Sequence, residues 1–500
     1  MVSSTQPSVP FAGTTATSIT VALRFLRVYY LLVILISAAL LVPCFWHKHV
    51  ISCDLPSHTY NAWLATLIER GQAPSLYIAR QWNNIFFDAI LLQLCKWFGF
   101  TLGEKLAVSL LVLLFFWGAF AVAAAASKRA PWFVVPLLAM VSYGWTFAIG
   151  FSNYYFSLGL AFWGIAYFWR APVWHIVFAI PFAALIYLAH PFGVAWFLGA
   201  TLFVFLSRWS SGWMQLFLAA LGIALLFATR LYLQNHYSLD FSQPRYLVSG
   251  IDQLVLSAKF RLLAKILLYF GAACFVLDLY LSRKETTLIA RLATPISFYL
   301  VSLAAVLLLP DAVYLPQYAL PFSFITMRLT AICAVSAICV LAMMAPRFWS
   351  RLGFLVTAGF FFFLLWQETK PIEALEIQAE QLIATIPANQ RVIATIRPFS
   401  GSRFYFLSHL VDRACIERCF SYSNYEPSSK QFRVRVLPVS PIADSSAMAA
   451  DKMQLGTYVV QAADLPAYQI DQCTPDLANL CIRELKAGEI NGRLAPSLPK

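Results

Sequence analysis

Asp54 is the first acidic residue of the chain, and His58 follows it four positions later in the run Cys53-Asp54-Leu55-Pro56-Ser57-His58-Thr59-Tyr60-Asn61-Ala62-Trp63. A carboxylate held next to a hydroxyl can take its proton, which is general-base work. Residues four apart share one face of a helix that begins early. His58 can then orient Asp54, or join it around a divalent metal such as Mg or Mn. A competing use is helix capping, with Asp54 or Ser57 accepting backbone N–H groups at the start of a helix over 58–70. Farther on, Arg80, Trp82, Asn83, Asn84 and Asp88 offer charges, amides and an indole face that suit a hydroxyl-rich ligand. The same residues also serve as interfacial anchors.

These residues stand in a chain of unusual composition. Of its 500 residues, 60% are hydrophobic and 12% charged, about half the charge of a soluble domain. Mean hydropathy is +0.70. A polytopic α-helical membrane protein is the class that fits. The net charge of +13 reads as loop charge that sets topology and meets anionic lipid, with no nucleic acid implied.

Runs long enough for a hydrocarbon core of ~30 Å predict about eleven spans, near 26–46, 104–126, 131–148, 154–169, 173–189, 192–207, 212–230, 263–281, 292–309, 328–345 and 352–367. Residues 1–20 read as a disordered cytoplasmic tail, and 21–367 as the transmembrane domain. With the N-terminus inside, every inner loop carries Lys or Arg: Lys128 and Arg129, Arg170, Arg208, then Arg283, Lys284 and Arg291, then Arg347 and Arg351. That is the positive-inside pattern of a multi-pass inner (plasma) membrane protein. The stretch 84–100 is interrupted by Asp88, Gln93 and Lys96, so it is expected to lie on the outer surface as an amphipathic helix.

The outer pieces are then a first loop at 47–103 with surface helices, a long loop at 231–262, the loop 310–327, and an extracytoplasmic α+β domain at 368–500. That domain is expected to hold a helix at 372–386 and strands at 391–396, 431–437 and 457–461. Its Cys415, Cys419, Cys473 and Cys481 are disulfide candidates in an oxidising compartment. Four cysteines allow three pairings, and spacing does not choose among them.

On the same outer side stand cations able to meet an anion. Arg328 lies at the outer mouth of the tenth span and Arg245 in the long loop, with His190 and Asn153 at outer turns. A snorkelling arginine, a solvated loop charge and a structural histidine before Pro191 are the plainer uses of these residues. GxxxxGK[ST], HExxH and dinucleotide fingerprints are missing from the sequence.

An Asp soon after the first span, surface helices in the first outer loop, about eleven spans, a long loop between the seventh and eighth, and an outer C-terminal domain together resemble the GT-C superfamily of membrane glycosyltransferases. Its members include protein O-mannosyltransferases, the aminoarabinose transferase of lipid A, and oligosaccharyltransferases. Many of them place two adjacent acids where this chain has Asp54-Leu55. The resemblance implies a sugar donor on polyprenyl phosphate at the membrane surface, a glycan, lipid or protein acceptor, and inversion at the transferred carbon. It casts Asp54 as base with His58 beside it, Arg328 and Arg245 on the phosphate, and Asp54 with His58 on any metal. Two other classes remain: a catalytically silent scaffold or sensor whose outer domain binds a partner, and a transporter of lipid-linked sugars. Few ionisable residues fall inside the spans (Lys265, Asp278 and His175), which weighs against transport.

Overall fold

Long apolar runs become helices because lipid leaves backbone groups no partner but their own chain. The computed structural model describes residues 18–241, 249–316, 321–396, 403, 407, 409–429, 431–473 and 478–492. Helix α1 (Ser18–Phe45) already includes residues 18–20, so the tail expected over 1–20 is shorter than its reading; 1–17 lie outside the described residues. The stretch 47–103, expected as the first outer loop, folds as α2 (Leu55–Glu69), a short strand β1 (Leu76–Ile78) and α3 (Phe86–Phe98). Helix α3 buries Phe87, Leu91, Leu92 and Cys95 and exposes Trp97 and Phe98. It packs on α2 and on α4 (Phe100–Ser127) as an amphipathic piece.

The body continues through α5 (Val135–Ser142), α6 (Trp145–Ala148), α7 (Ser152–Phe168), α8 (Ala179–Ala189), α9 (Pro191–Ser207) and α10 (Gly212–His236). A strand β2 (Ser238–Asp240) leads to α11 (Phe260–Ser282), α12 (Leu288–Leu308), β3 (Ala312–Tyr314), α13 (Ile325–Ala342) and α14 (Phe348–Ile383). By length and composition, seven helices can cross a membrane: α1 from Arg27, α4, α10, α11, α12, α13 and α14. Shorter apolar stretches at Trp132–Ala148, Val173–Ala189 and Pro191–Ser207 lie among them. The chain is a helical membrane protein.

Several boundaries differ from the sequence reading. Helix α10 extends through 231–236, and β2 pairs antiparallel with β3, so the stretches expected as loops at 231–262 and 310–327 are joined by a small sheet. Helix α14 runs unbroken for 36 residues through Pro371, about 54 Å at 1.5 Å per residue. The boundary expected at 367/368 therefore falls inside a continuous helix, and the expected helix at 372–386 is its second half. Beyond it come β4 (Arg391–Thr395), α15 (Leu410–Ala414), β5 (Phe420–Ser421), α16 (Glu426–Ser429), β6 (Val434–Val436), α17 (Ala447–Leu455), β7 (Ala467–Gln472) and β8 (Leu480–Glu484).

Four of these strands form one sheet in the order β5-β4-β7-β8, parallel except for β7–β8. Strand β6 instead pairs antiparallel with β1 of the 47–103 stretch, Leu76 opposite Val436. No strand forms at 457–461, where Val459 makes an isolated bridge to Ile490. One hydrophobic core runs from Leu40 of α1 to Leu480 of β8, so the C-terminal region shares its interior with the helices.

Bonds between helix ends sort the two faces of the bundle. Arg129, past the end of α4, donates to the carbonyls of Ala342 and Met344 after α13. Arg347, at the start of α14, pairs with Asp278 near the end of α11 at 3.2 Å. Arg208 donates to the Phe168 and Ala171 carbonyls. At the other end, Glu104 in the first turns of α4 meets Thr59 of α2 and Arg413 of α15. The basic loops and the Asp54 segment thus occupy opposite ends.

Candidate active site

Asp54 is pinned by its backbone. Cys53 N–H donates to the Ala148 carbonyl at 2.9 Å and Asp54 N–H to that of Ile149 at 3.2 Å. Gly150 makes this approach feasible: its φ is +88°, and a Cβ there would lie 2.6 Å from the Asp54 nitrogen. Asp54 precedes α2 with helical φ and ψ of −87° and −12°, and its carboxylate makes no capping hydrogen bond. The capping use is thereby excluded. Its side chain keeps 26% of its surface open while the flanking Cys53 and Leu55 are buried.

His58 does not bond to the Asp54 carboxylate. Its Nδ1 lies 2.7 Å from Asp88 Oδ1, in the first turn of α3. Asn153, at the start of α7, donates to the other Asp88 oxygen at 2.9 Å and accepts from Phe87 N–H. One turn beyond His58, Asn61 donates to Glu426 at 2.7 Å.

The C-terminal region supplies the rest. His409 Nε2 stands 3.9 Å from Asp54 Oδ1, and its Nδ1 is 2.7 Å from Asp412. Ser421 and Asn424 both donate to Asp412, and Asn424 also reaches Ser57 at 3.0 Å. Behind them, Arg413 lies between Glu104 (3.1 Å) and Glu376 (2.7 Å) and donates to the Val50 carbonyl. It fixes α15 to α4, to α14 and to the chain leading into Asp54. Sequence reasoning missed His409, Asp412, Asn424 and Glu426. The local hint was a histidine and an acid three apart, in a region assigned to a separate domain.

Arg328 completes the ring from α13. Its guanidinium lies 4.1 Å over the Phe151 ring and 4.9 Å from that of Phe322. Its Nε and one terminal nitrogen are buried with no hydrogen-bond partner among the described residues, although Arg328 and Asp54 are close enough for their charges to act on each other. Tyr154 donates to the Arg328 carbonyl. His190 stacks on Phe322 at 6.0 Å and accepts from Phe192 N–H, so it lines the same aromatic recess.

The charges are set by these pairings. Burial raises the Asp54 carboxyl above its usual range, while His409, His58 and Arg328 pull it back. Burial opposes charge on His58, but Asp88 outweighs it and lifts the imidazole to about 10. Asp412 does the same for His409, which reaches about 9. Burial pushes Glu426 up to about 7, partly offset by His58. Asp88 and Asp412 thus favour the charged form of the two imidazoles that act on Asp54 together with Arg328.

Other expected residues fall elsewhere. Trp82 is 62% exposed with Arg80 over its ring. Asn83 accepts from Gln81, and Asn84 forms a positive-φ turn before α3. No hydrogen bond or ion pair among the described residues ties Arg80, Trp82, Asn83 or Asn84 to Asp54, while Asp88 of the same group is integral to the site. Arg245 lies outside the described residues. Both cysteine pairs are disulfides, Cys415 with Cys419 and Cys473 with Cys481.

Among the described residues no three His, Cys, Asp or Glu side chains are placed to share an ion, and His58 Nδ1 is committed to Asp88. Comparison with known proteins adds no relative: no family model, no curated protein and no solved structure matches the chain.

Proposed function

We propose that this chain is an integral membrane glycosyltransferase of GT-C type. It crosses the cytoplasmic membrane eleven times, with the N-terminus inside and the Asp54 end outside, and transfers a sugar from polyprenyl phosphate to an acceptor hydroxyl. The observation that carries this reading is the pairing of functions at one point. A partly open carboxylate faces a buried guanidinium that has N–H groups to spare. Such a guanidinium is costly to bury without an anion, and a phosphate meets its geometry. The orientation is supported by the basic residues gathered at the opposite end, as the positive-inside rule requires.

The reaction follows from these groups. As the acceptor oxygen attacks the anomeric carbon, its proton passes to Asp54, general-base help worth about 10²–10⁴-fold. The bond from that carbon to the phosphate oxygen breaks, and the electron pair leaves with the phosphate. Arg328 donates to the oxygen that gains charge, and the His58 and His409 cations lower the potential around it. Stabilisation of this kind is worth about 10²–10³-fold per donor. Attack opposite the leaving group inverts the carbon. Arg328 sits in the first turn of α13, a helix apolar and long enough to cross the membrane. Asp278, the single acid of α11, is paired with Arg347 at the other end of the bundle, which disfavours a transport pathway.

The test is turnover by the full chain in proteoliposomes supplied with a panel of polyprenyl-phosphate sugars and extracted membrane acceptors, with free polyprenyl phosphate read by mass spectrometry. Release from at least one donor, dependent on acceptor, is expected. No release from any donor contradicts the proposal.

A further inference from the structure

The C-terminal region does more than cover the site, because one of its side chains makes the ion pair that Asp54 has among the described residues. His409 precedes α15 and is itself held: Asp412 grips its Nδ1 at 2.7 Å, and Ser421 and Asn424 hold Asp412 in turn. Its Nε2 is thereby aimed at Asp54 Oδ1, 3.9 Å away. The imidazole is almost wholly enclosed, 4% exposed against 26% for the Asp54 side chain. An arrangement with the carboxylate open to a ligand and the imidazole behind it supports a base from the protein side.

We propose that His409 is a positioning residue of the Asp54 site, holding that carboxylate charged and aimed, so that the C-terminal region completes the active site built on the first outer loop. The role in transfer rests on the reading of Asp54 as base. The charged and titratable groups acting on Asp54 besides His409 are His58 from α2, Arg328 from α13, Asp412 from α15 and Tyr425 just before α16, while Glu426 acts on His58 and His409. His58 spends its charge first on Asp88 of α3. His409 is thus the cation whose removal Asp54 should feel most.

The experiment uses the full chain in detergent micelles at pH 7 with dicyclohexylcarbodiimide, which attaches to protonated carboxyls, and reads Asp54 and Asp88 by peptide mass. An opposite charge this close shifts a carboxyl by about 1–3 pH units. His409→Gln is therefore expected to label at Asp54 about tenfold faster or more, with Asp88 unchanged, and His409→Lys to return the rate toward wild type. In transfer assays His409→Gln lowers kcat about tenfold with KM within about twofold, and His409→Lys recovers part of it. An unchanged rate at Asp54, or an equal rise at Asp54 and Asp88, overturns the proposal. If the labelling follows this pattern while Asp54→Asn leaves transfer intact, the base reading falls and the His409–Asp54 pairing stands.

Discussion

Arg413 offers the most demanding structural prediction, because its charge is buried at a junction of three elements. Its side chain is 4% exposed, and those of Glu104 and Glu376 are 1% and 6%. One terminal nitrogen lies 2.7 Å from Glu376 and Nε 3.1 Å from Glu104, while the other terminal nitrogen donates to Val50 at 3.0 Å. Arg413→Met fills similar volume but leaves two buried carboxylates without their cation. Breaking a buried pair this way costs about 3–5 kcal/mol, or roughly two to three and a half powers of ten in the unfolding equilibrium. Removing all three charges, in Glu104→Gln, Arg413→Met, Glu376→Gln, is expected to recover more than half of that loss, since no charge is left stranded. Steric trapping in bicelles would measure both variants. Because α15 follows directly on His409, the single variant should also lose transfer activity in proportion to its disorder. A loss below ~1 kcal/mol for Arg413→Met, or a triple variant no better than the single, would refute the reasoning.

Three further expectations are independent of it. Burial lifts Glu426 from 4.5 to about 7, so the native state holds a proton that the unfolded chain releases in that window, and stability falls as pH rises through it. Glu426→Gln should therefore stabilise the protein at pH 8 by up to ~3 kcal/mol and not at pH 4.5; the same difference at both pH values would sink this account. Alkylation of the denatured chain should tag six cysteines before reduction and all ten after it; ten tags without reduction would remove both disulfides. In sealed cells, an impermeant maleimide should reach cysteines placed at Asp240 and Ser440 but not at Thr286, and labelling at Thr286 would invert the orientation.

The helical body was legible because apolar runs of membrane length leave the backbone one satisfactory conformation. That 84–100 forms a separate amphipathic helix, α3, was legible too, since Gln93 and Lys96 interrupt its apolar run and stay exposed, while Asp88 turns inward to His58. Asp54, His58, Asp88, Arg328 and His190 were found from residue type and position near helix ends, and the structure gathers them at one end of the bundle. Their partners were not legible. Asn61 meets Glu426 across 365 residues, and such contacts leave no trace in local periodicity. His58 was expected to serve Asp54 directly, but Asp88 is the stronger partner at 2.7 Å, and His409 takes the expected place. The unbroken α14 was not legible, because the chain turns polar and acidic after Trp366, yet the helix continues through Pro371. Here buried Leu365, Ile372 and Leu375 hold both sides of it in register.

The central claim is that Asp54 takes the proton of the acceptor, and one measurement addresses it most directly. It is the single-turnover rate of sugar transfer by Asp54→Asn beside wild type, in proteoliposomes with a donor that wild type consumes, after circular dichroism and thermal unfolding show matched folds. A rate at least ~10²-fold lower is expected, with binding of polyprenyl phosphate retained through Arg328. A variant that transfers sugar within a few-fold of wild type would contradict it.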